Sequence, residues 1–189
     1  MTDDARMSLK AHFLIAMPGL NDPNFAGTVV CMCEHTAEGS FGLVINRILP
    51  NLTAKDLLDE LKIRAVPESR SATIHYGGPV HLNEIFILHG PPLDWEGSVR
   101  LTPSLAMSNT RDVLEAIAAG AGPEKYQITL GCSGWGSMQL ESEIKENVWL
   151  SCPVSEEIIF DLPADDRWKE AVKVLGIDPA LLTDTAGHA

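Results

Sequence analysis

Thr28-Val-Val-Cys-Met-Cys-Glu-His-Thr-Ala-Glu-Gly-Ser-Phe-Gly-Leu-Val-Ile-Asn46 is the stretch that decides the fold. Thr28 to Glu34 is rich in β-formers, and Phe41 to Asn46 reads as a second strand. Only about four residues, around Ala37 to Ser40, separate the two. So short a connection makes a hairpin and therefore an antiparallel pair, because parallel neighbours need a crossover of a dozen or more residues.

Outward from this hairpin, Lys10 to Ala16 reads as a strand ended by Pro18-Gly19. Thr53 is a helix N-cap, with Leu57, Leu58 and Leu61 on one face of the helix that follows. Thr73 to Tyr76 is a short strand stopped by Gly77-Gly78-Pro79, and Ile85 to His89 is another, stopped by Gly90-Pro91-Pro92. Trp95 to Leu101 holds a further short strand. Asn109 to Ala119 reads as a helix, with Val113, Leu114 and Ile117 sharing a face and Gly120 at the C′ position. Tyr126 to Leu130 is a strand, followed by a glycine-rich turn and a helix near Met138 to Glu146. Trp149 to Cys152 is a strand, and the last helix runs from about Asp165 to Leu175. Residues 1–9 and 183–189 read as loose ends around one domain, 10–182. Hairpin-like neighbours come first, helices cluster later, and the βαβ alternation is incomplete. The fold class expected is α+β: a strongly curved mixed sheet, largely antiparallel, with helices packed against it.

The chain has 189 residues, 45% apolar and 21% charged, enough for one sizeable core. No stretch approaches the roughly 20 apolar residues a membrane span needs. Asp3 and Asp4 carry the wrong charge for an export signal, so a cytoplasmic location is expected. Four cysteines are too few for a disulfide scaffold. The net charge is −12, and from Glu141 onward 11 acids face 4 bases, a balance of −7. Such a field repels phosphates, so direct nucleic-acid binding is not expected. The best basic patch, Lys62, Arg64 and Arg70, contains Glu68 and reads as solvated surface charge.

The sharpest local motif is Gly131-Cys-Ser-Gly-Trp-Gly136. A serine nucleophile elbow needs G-x-S-x-G, but Trp135 stands where the second glycine belongs. A phosphate loop needs a different glycine spacing and, in one form, a lysine; here Glu141 and Glu143 follow instead. The reading adopted is a tight strand-to-helix turn, with Trp135 packed across the sheet and Ser137 capping the helix. Leu140 and Ile144 should face the sheet, with Gln139, Glu143 and Glu146 on other faces. Cys31, Cys33 and His35 alternate along one strand and would share a face, but a fourth metal ligand is missing at any standard spacing. Cys132 reads as an inert thiol. No metal, cofactor or catalytic residue is assigned. Candidate ligand-binding residues lie at strand ends and in the glycine-rich segment: Asn46, Arg47, Gly77, Gly78, Pro79, His89, Ser133, Gly134 and Trp135.

A set of motifs recurs in order: Leu14-Ile-Ala-Met-Pro18, Asp22-Pro-Asn-Phe25, Glu34-His35, Gly42-Leu-Val-Ile-Asn-Arg47, Gly77-Gly-Pro-Val80, Leu88-His89 and Gly134-Trp-Gly136. Gln139-Leu-Glu141, Glu143, Asn147 and Trp149 complete it. Together they resemble the AlgH/YqgE family of bacterial proteins over roughly residues 10 to 175. Cys132 stands where that family usually has an aromatic residue, and the Cys31/Cys33 pair lies outside its pattern. The resemblance implies a curved-sheet α+β fold and a cytoplasmic bacterial protein. It implies no established reaction; members are often labelled transcriptional regulators. The expected function is a regulatory or binding domain acting through a protein or small-molecule partner rather than on DNA directly. The alternative is an enzyme with a site near Asn46-Arg47 and Gly77-Gly78-Pro79. A deep pocket joining those residues to Ser133 or His89 would favour the enzyme, and a filled, flat surface there would favour the binding module.

Overall fold

The computed structural model describes residues 8–184. The loose ends expected at 1–9 and 183–189 therefore fall largely outside the described residues. Leu9, however, donates its backbone N–H to His35 Nδ1 at 2.9 Å.

Ten strands form one curled sheet. They are β1 (His12–Ala16), β2 (Val29–His35), β3 (Gly39–Val44), β4 (Ile48–Thr53), β5 (Thr73–Tyr76), β6 (Val80–His89), β7 (Val99–Arg100), β8 (Ala106–Ser108), β9 (Tyr126–Gly136) and β10 (Trp149–Pro153). Seven helices are described: α1 (Ala54–Glu60), α2 (Pro67–Arg70), α3 (Arg111–Ala118), α4 (Gln139–Lys145), α5 (Glu156–Phe160), α6 (Ala164–Val174) and α7 (Pro179–Asp184). The main path is β10-β1-β2-β3-β9-β6-β8-β7, with β5 on β9 and β4 on β5. Every pairing is antiparallel except β5 with β9, so the sheet is mixed and largely antiparallel, as expected.

Local chemistry explains the elements that the sequence announced. The hairpin pairs Val30 with Val44 and Cys31 with Leu43. Thr53 caps α1 in a reciprocal box with Asp56, satisfying two otherwise free N–H groups. Gly120 adopts φ +71° just beyond α3, a left-handed conformation that suits glycine.

The glycine-rich segment is different from its expectation. It is not a strand-to-helix turn. β9 runs unbroken through it to Gly136, and Gly131 at φ +73° changes the strand's direction mid-course. Before that point β9 lies between β5 and β6 (Ile74↔Ile128, Ile87↔Ile128); beyond it β3 replaces β5 (Phe41↔Gly134), while Cys132 still pairs with Val80 of β6. The glycines thus let one strand change partners and curl the sheet. Ser137 does not cap α4 either. It donates to the Ala37 carbonyl, and the cap position is Met138, at φ +63° with no side-chain cap bond.

The sheet buries both faces. Along β1, Phe13 and Ile15 join a cluster with Val172 and Ile159, while Leu14 and Ala16 join one with Trp135, Leu140 and Trp149. A third cluster packs α1 and α3 on β5, β6 and β9 through Leu58, Val113, Ile117, Ile74 and Ile128. Cys31 and Cys33 lie in the first cluster. His35 does not share their face: a bulge between Met32 and Glu34 inserts one residue and reverses the alternation. His35 instead meets Leu9 and Glu141. No helix among the described residues is long and apolar enough to cross a membrane.

Candidate functional site

The strand-end residues converge on a turn rather than on a reaction centre. Asn46, just past β3, uses both ends of its amide: Oδ1 accepts from the Val29 N–H at 2.8 Å, and Nδ2 donates to the Gly27 carbonyl at 2.9 Å. Arg47 donates to three carbonyls of the Asp22–Gly27 turn: Pro23 at 2.7 Å, Asn24 at 2.9 Å and Ala26 at 2.8 Å. The Tyr76 hydroxyl reaches Asn24 Oδ1 at 3.1 Å. These bonds fasten the Asp22-Pro-Asn-Phe25 segment to the sheet and seat the Phe25 ring on Trp135 and Trp149, with centroids 5.9 and 5.7 Å away.

Gly77 and Gly78 are glycines because backbone passes where a side chain would be. A Cβ on Gly77 would lie 2.1 Å from the Gly131 carbonyl oxygen, and one on Gly78 2.2 Å from that of Cys132. The Gly77 carbonyl accepts from the Val44 N–H at 2.8 Å and from the Ser133 hydroxyl at 3.0 Å. Ser133 is fully buried, with its hydroxyl committed there. Pro79, half-buried, immediately precedes β6. His89, at the other end of β6, is buried too. Its Nδ1 lies 2.8 Å from the Gly90 carbonyl and must carry the proton; Nε2 then accepts from Ser108, which contacts Ser98. Burial holds the His89 imidazole below its ordinary pKa, with the Gly90 carbonyl opposing.

An open cleft of about 550 Å³ does border this region. Asn46, Arg47 and Tyr76 form its polar wall with Asn24, Ile48 and Leu49 form its apolar wall, and Asp165 at the start of α6 supplies its carboxylate. The cleft does not reach Ser133 or His89. Gly134 and Trp135 border a separate hollow of about 210 Å³, with Phe25, Trp149 and Glu143. Seven of the nine candidates divide among one open cleft, one aromatic hollow and two buried hydrogen-bond sets, while Gly78 and Pro79 serve the backbone path between β5 and β6.

Glu143 takes a part that its helical position does not announce. It was expected on another face of α4, but its Oε2 accepts from both indole N–H groups, Trp135 at 2.9 Å and Trp149 at 2.8 Å. Leu140 is buried beneath it, as its spacing required. Arg70 of the basic trio is engaged with Asp59. Among the described residues no His, Cys, Asp and Glu side chains group as a metal site.

An AlgH-like family model matches residues 13–180. The chain belongs to the AlgH-like family. A UPF0301 protein of Desulforapulum autotrophicum is 48% identical over 181 residues, 96% of each chain. Another from Pseudomonas aeruginosa is 49% identical, again covering 96% of both. The solution structure of the AlgH protein from Pseudomonas aeruginosa superposes with a TM-score of 0.79 at 46% identity, covering 100% of both chains. A Corynebacterium diphtheriae crystal structure shares the fold, with a TM-score of 0.70 at 19% identity over 94% of this chain and 91% of its own. In this chain Asp22 to Phe25, Arg47, Trp135, Glu143 and Trp149 form one connected set of hydrogen bonds and ring contacts.

Tyr76, Asn24 and Asp165 lie outside the nine candidates, and Asn24 enters the sequence reading only within the motif Asp22-Pro-Asn-Phe25. Tyr76 carried a signal, since it ends the strand just before Gly77. Asp165 carried none, because it stands among ordinary helix charges.

Proposed function

We propose that this AlgH-like chain is a cytoplasmic regulatory binding protein, acting through a protein or small-molecule partner rather than on DNA or as an enzyme. One observation carries the reading. The polar groups at the strand ends are spent on the protein's own backbone, Arg47 on three carbonyls and Asn46 on two groups, leaving beside them an open cleft with no paired nucleophile and base. A deep pocket joining that region to Ser133 or His89 would favour the enzyme alternative, and neither residue lines the cleft. The charge of −12 argues against a phosphate backbone as the partner. Any effect on transcription would then pass through whatever the cleft holds.

The test is affinity capture from the bacterium that encodes the chain, with mass spectrometry of bound proteins and metabolites. It is run beside Ile48→Asp, a change at a cleft residue that is 49% exposed and so spares the core. The reading expects a defined partner retained by the natural chain and lost from the variant. An identical catch from both would refute the cleft. Conversion of a captured metabolite to product would favour the enzyme. A salt-sensitive gel shift of duplex DNA with affinity near 10⁻⁸ to 10⁻¹¹ M, the usual specific range, would overturn the exclusion of DNA.

A further inference from the structure

Behind the cleft, α6 carries a buried cation without a counter-charge. Arg167 is 6% exposed. Its Nε donates to the Leu162 carbonyl at 3.0 Å, and its Nη1 donates to the Ile45 carbonyl and to Gln127 Oε1. No carboxylate among the described residues pairs with it. Buried charges are ordinarily paired, because the lost hydration must be replaced. In a chain with 26 acidic residues, this one has been left open.

Two further groups beside it lack partners. Gln127 Nε2 and His75 Nδ1 are both buried and make no hydrogen bond. The Gln127 amide orientation is not free: Arg167 can only donate, so the atom facing it is Oε1, and Nε2 is an obligate donor. His75 is kept neutral, since burial and then the Arg167 charge bring its pKa down to about 4, against the opposing pull of the Thr73 and Ile128 backbone near the ring. It can turn either a proton or a lone pair toward a ligand.

All three side chains line one cavity of about 270 Å³, between β5 and β9 on one side and α5 and α6 on the other. That is about nine times the volume a water takes in the liquid. Water would satisfy the orphan donors but not the charge. What fits is an acceptor-rich anion; the exposed lining is more polar than apolar, and Tyr126 and Phe160 add ring surface for the small body that carries it.

We propose that this cavity binds a small organic carboxylate, its oxygens on Arg167 and Gln127, with His75 completing the seat and its small body against Tyr126 and Phe160. The site is separate from the open cleft and stands whether or not that cleft takes a partner.

The experiment is a benzoate titration of the full chain, followed by thermal melting and by calorimetry, with sodium chloride at matched ionic strength and inorganic phosphate as parallel arms. Gln127→Glu is the companion variant, because it supplies Arg167 with an internal carboxylate. The natural chain should show a saturable rise in melting midpoint with benzoate beyond that with chloride. Gln127→Glu should melt higher without ligand and bind benzoate at least tenfold more weakly. Equal effects of benzoate and chloride, or equal benzoate affinity in the variant, would overturn the site. Tighter binding of phosphate than of benzoate would overturn the carboxylate assignment. Should the variant not fold, the side-chain ¹⁵N signals decide: saturable movement of Arg167 with benzoate supports the site, and movement confined to exposed arginines refutes it.

Discussion

Glu143→Ala tests how the aromatic hollow is held. In the folded chain one carboxylate oxygen accepts two indole N–H bonds, at 2.9 and 2.8 Å, and the other accepts from Gln139 at 3.0 Å. Hydrogen bonds to a charged group contribute about 1.5–3 kcal/mol each when well buried. Trp135 and Trp149 are buried, but Glu143 is only half-buried, so water recovers part of the loss, and the exposed Gln139 bond adds little. The expected cost of Glu143→Ala is therefore about 2–3 kcal/mol, near the low end for two such bonds. For a domain of this length that lowers the melting midpoint by about 5–10 °C. Glu143→Gln keeps an oxygen able to accept both indoles but loses the charge and turns an NH₂ toward that of Gln139. Its expected cost is smaller, about 1 kcal/mol. Urea unfolding followed by tryptophan fluorescence measures both, and a double-mutant cycle with Trp149→Phe isolates the shared bond. A loss under about 0.5 kcal/mol for Glu143→Ala, the level of an ordinary surface substitution, would refute the clamp. So would strict additivity in the cycle.

Other perturbations have equally definite outcomes. Trp135→Ala should cost about 3–5 kcal/mol as a buried aromatic, whereas Ser133→Ala, losing one bond to the Gly77 carbonyl, should cost about 1 kcal/mol in the same urea melts; an unchanged midpoint for Trp135→Ala would make that ring a ligand platform. Gly77→Ala should prevent accumulation of folded protein, because its Cβ would sit 2.1 Å from the Gly131 carbonyl oxygen, and a native-like circular dichroism spectrum and melting curve would contradict this. His75 titrates near 6.5 when unfolded and near 4 when folded, so the unfolded chain takes up the proton first as pH falls. Its contribution is complete above about pH 6.5 and is lost toward pH 4, about 3 kcal/mol in all; His75→Phe should flatten stability across that window, and parallel pH profiles would refute it. Burial lifts the Cys132 and Cys152 thiols to about 11, with the Glu84 charge adding to the first. A thiol reagent at pH 8 should therefore label the native chain far more slowly than the urea-unfolded chain, and equal rates would show an exposed thiolate.

The sequence by itself determined whatever rests on neighbouring residues. The short turn after His35 made the hairpin, Thr53 opened α1, and Gly120 closed α3. It also carried the family, because ordered motifs survive without knowledge of their contacts. Tertiary structure decided the rest, where the relevant partner is far along the chain. Gly131-Cys-Ser-Gly-Trp-Gly136 looks like a turn locally, since glycine weakens a strand; only pairing with β3 and β6 makes it the continuation of β9. A single bulged residue moved His35 to the opposite face from Cys31 and Cys33, which no period-two reading anticipates. Arg47 and Glu143 look like surface charges until the Asp22–Gly27 turn and two indoles close around them. Arg167 stands in a helix among Asp165, Asp166 and Lys169, and there its charge looks fully solvated. It is buried because α6 docks against the end of β3 and against β9, bringing Ile45 and Gln127 to it from 122 and 40 residues away. Burial of a charge is a property of what packs over it, and no local pattern encodes that.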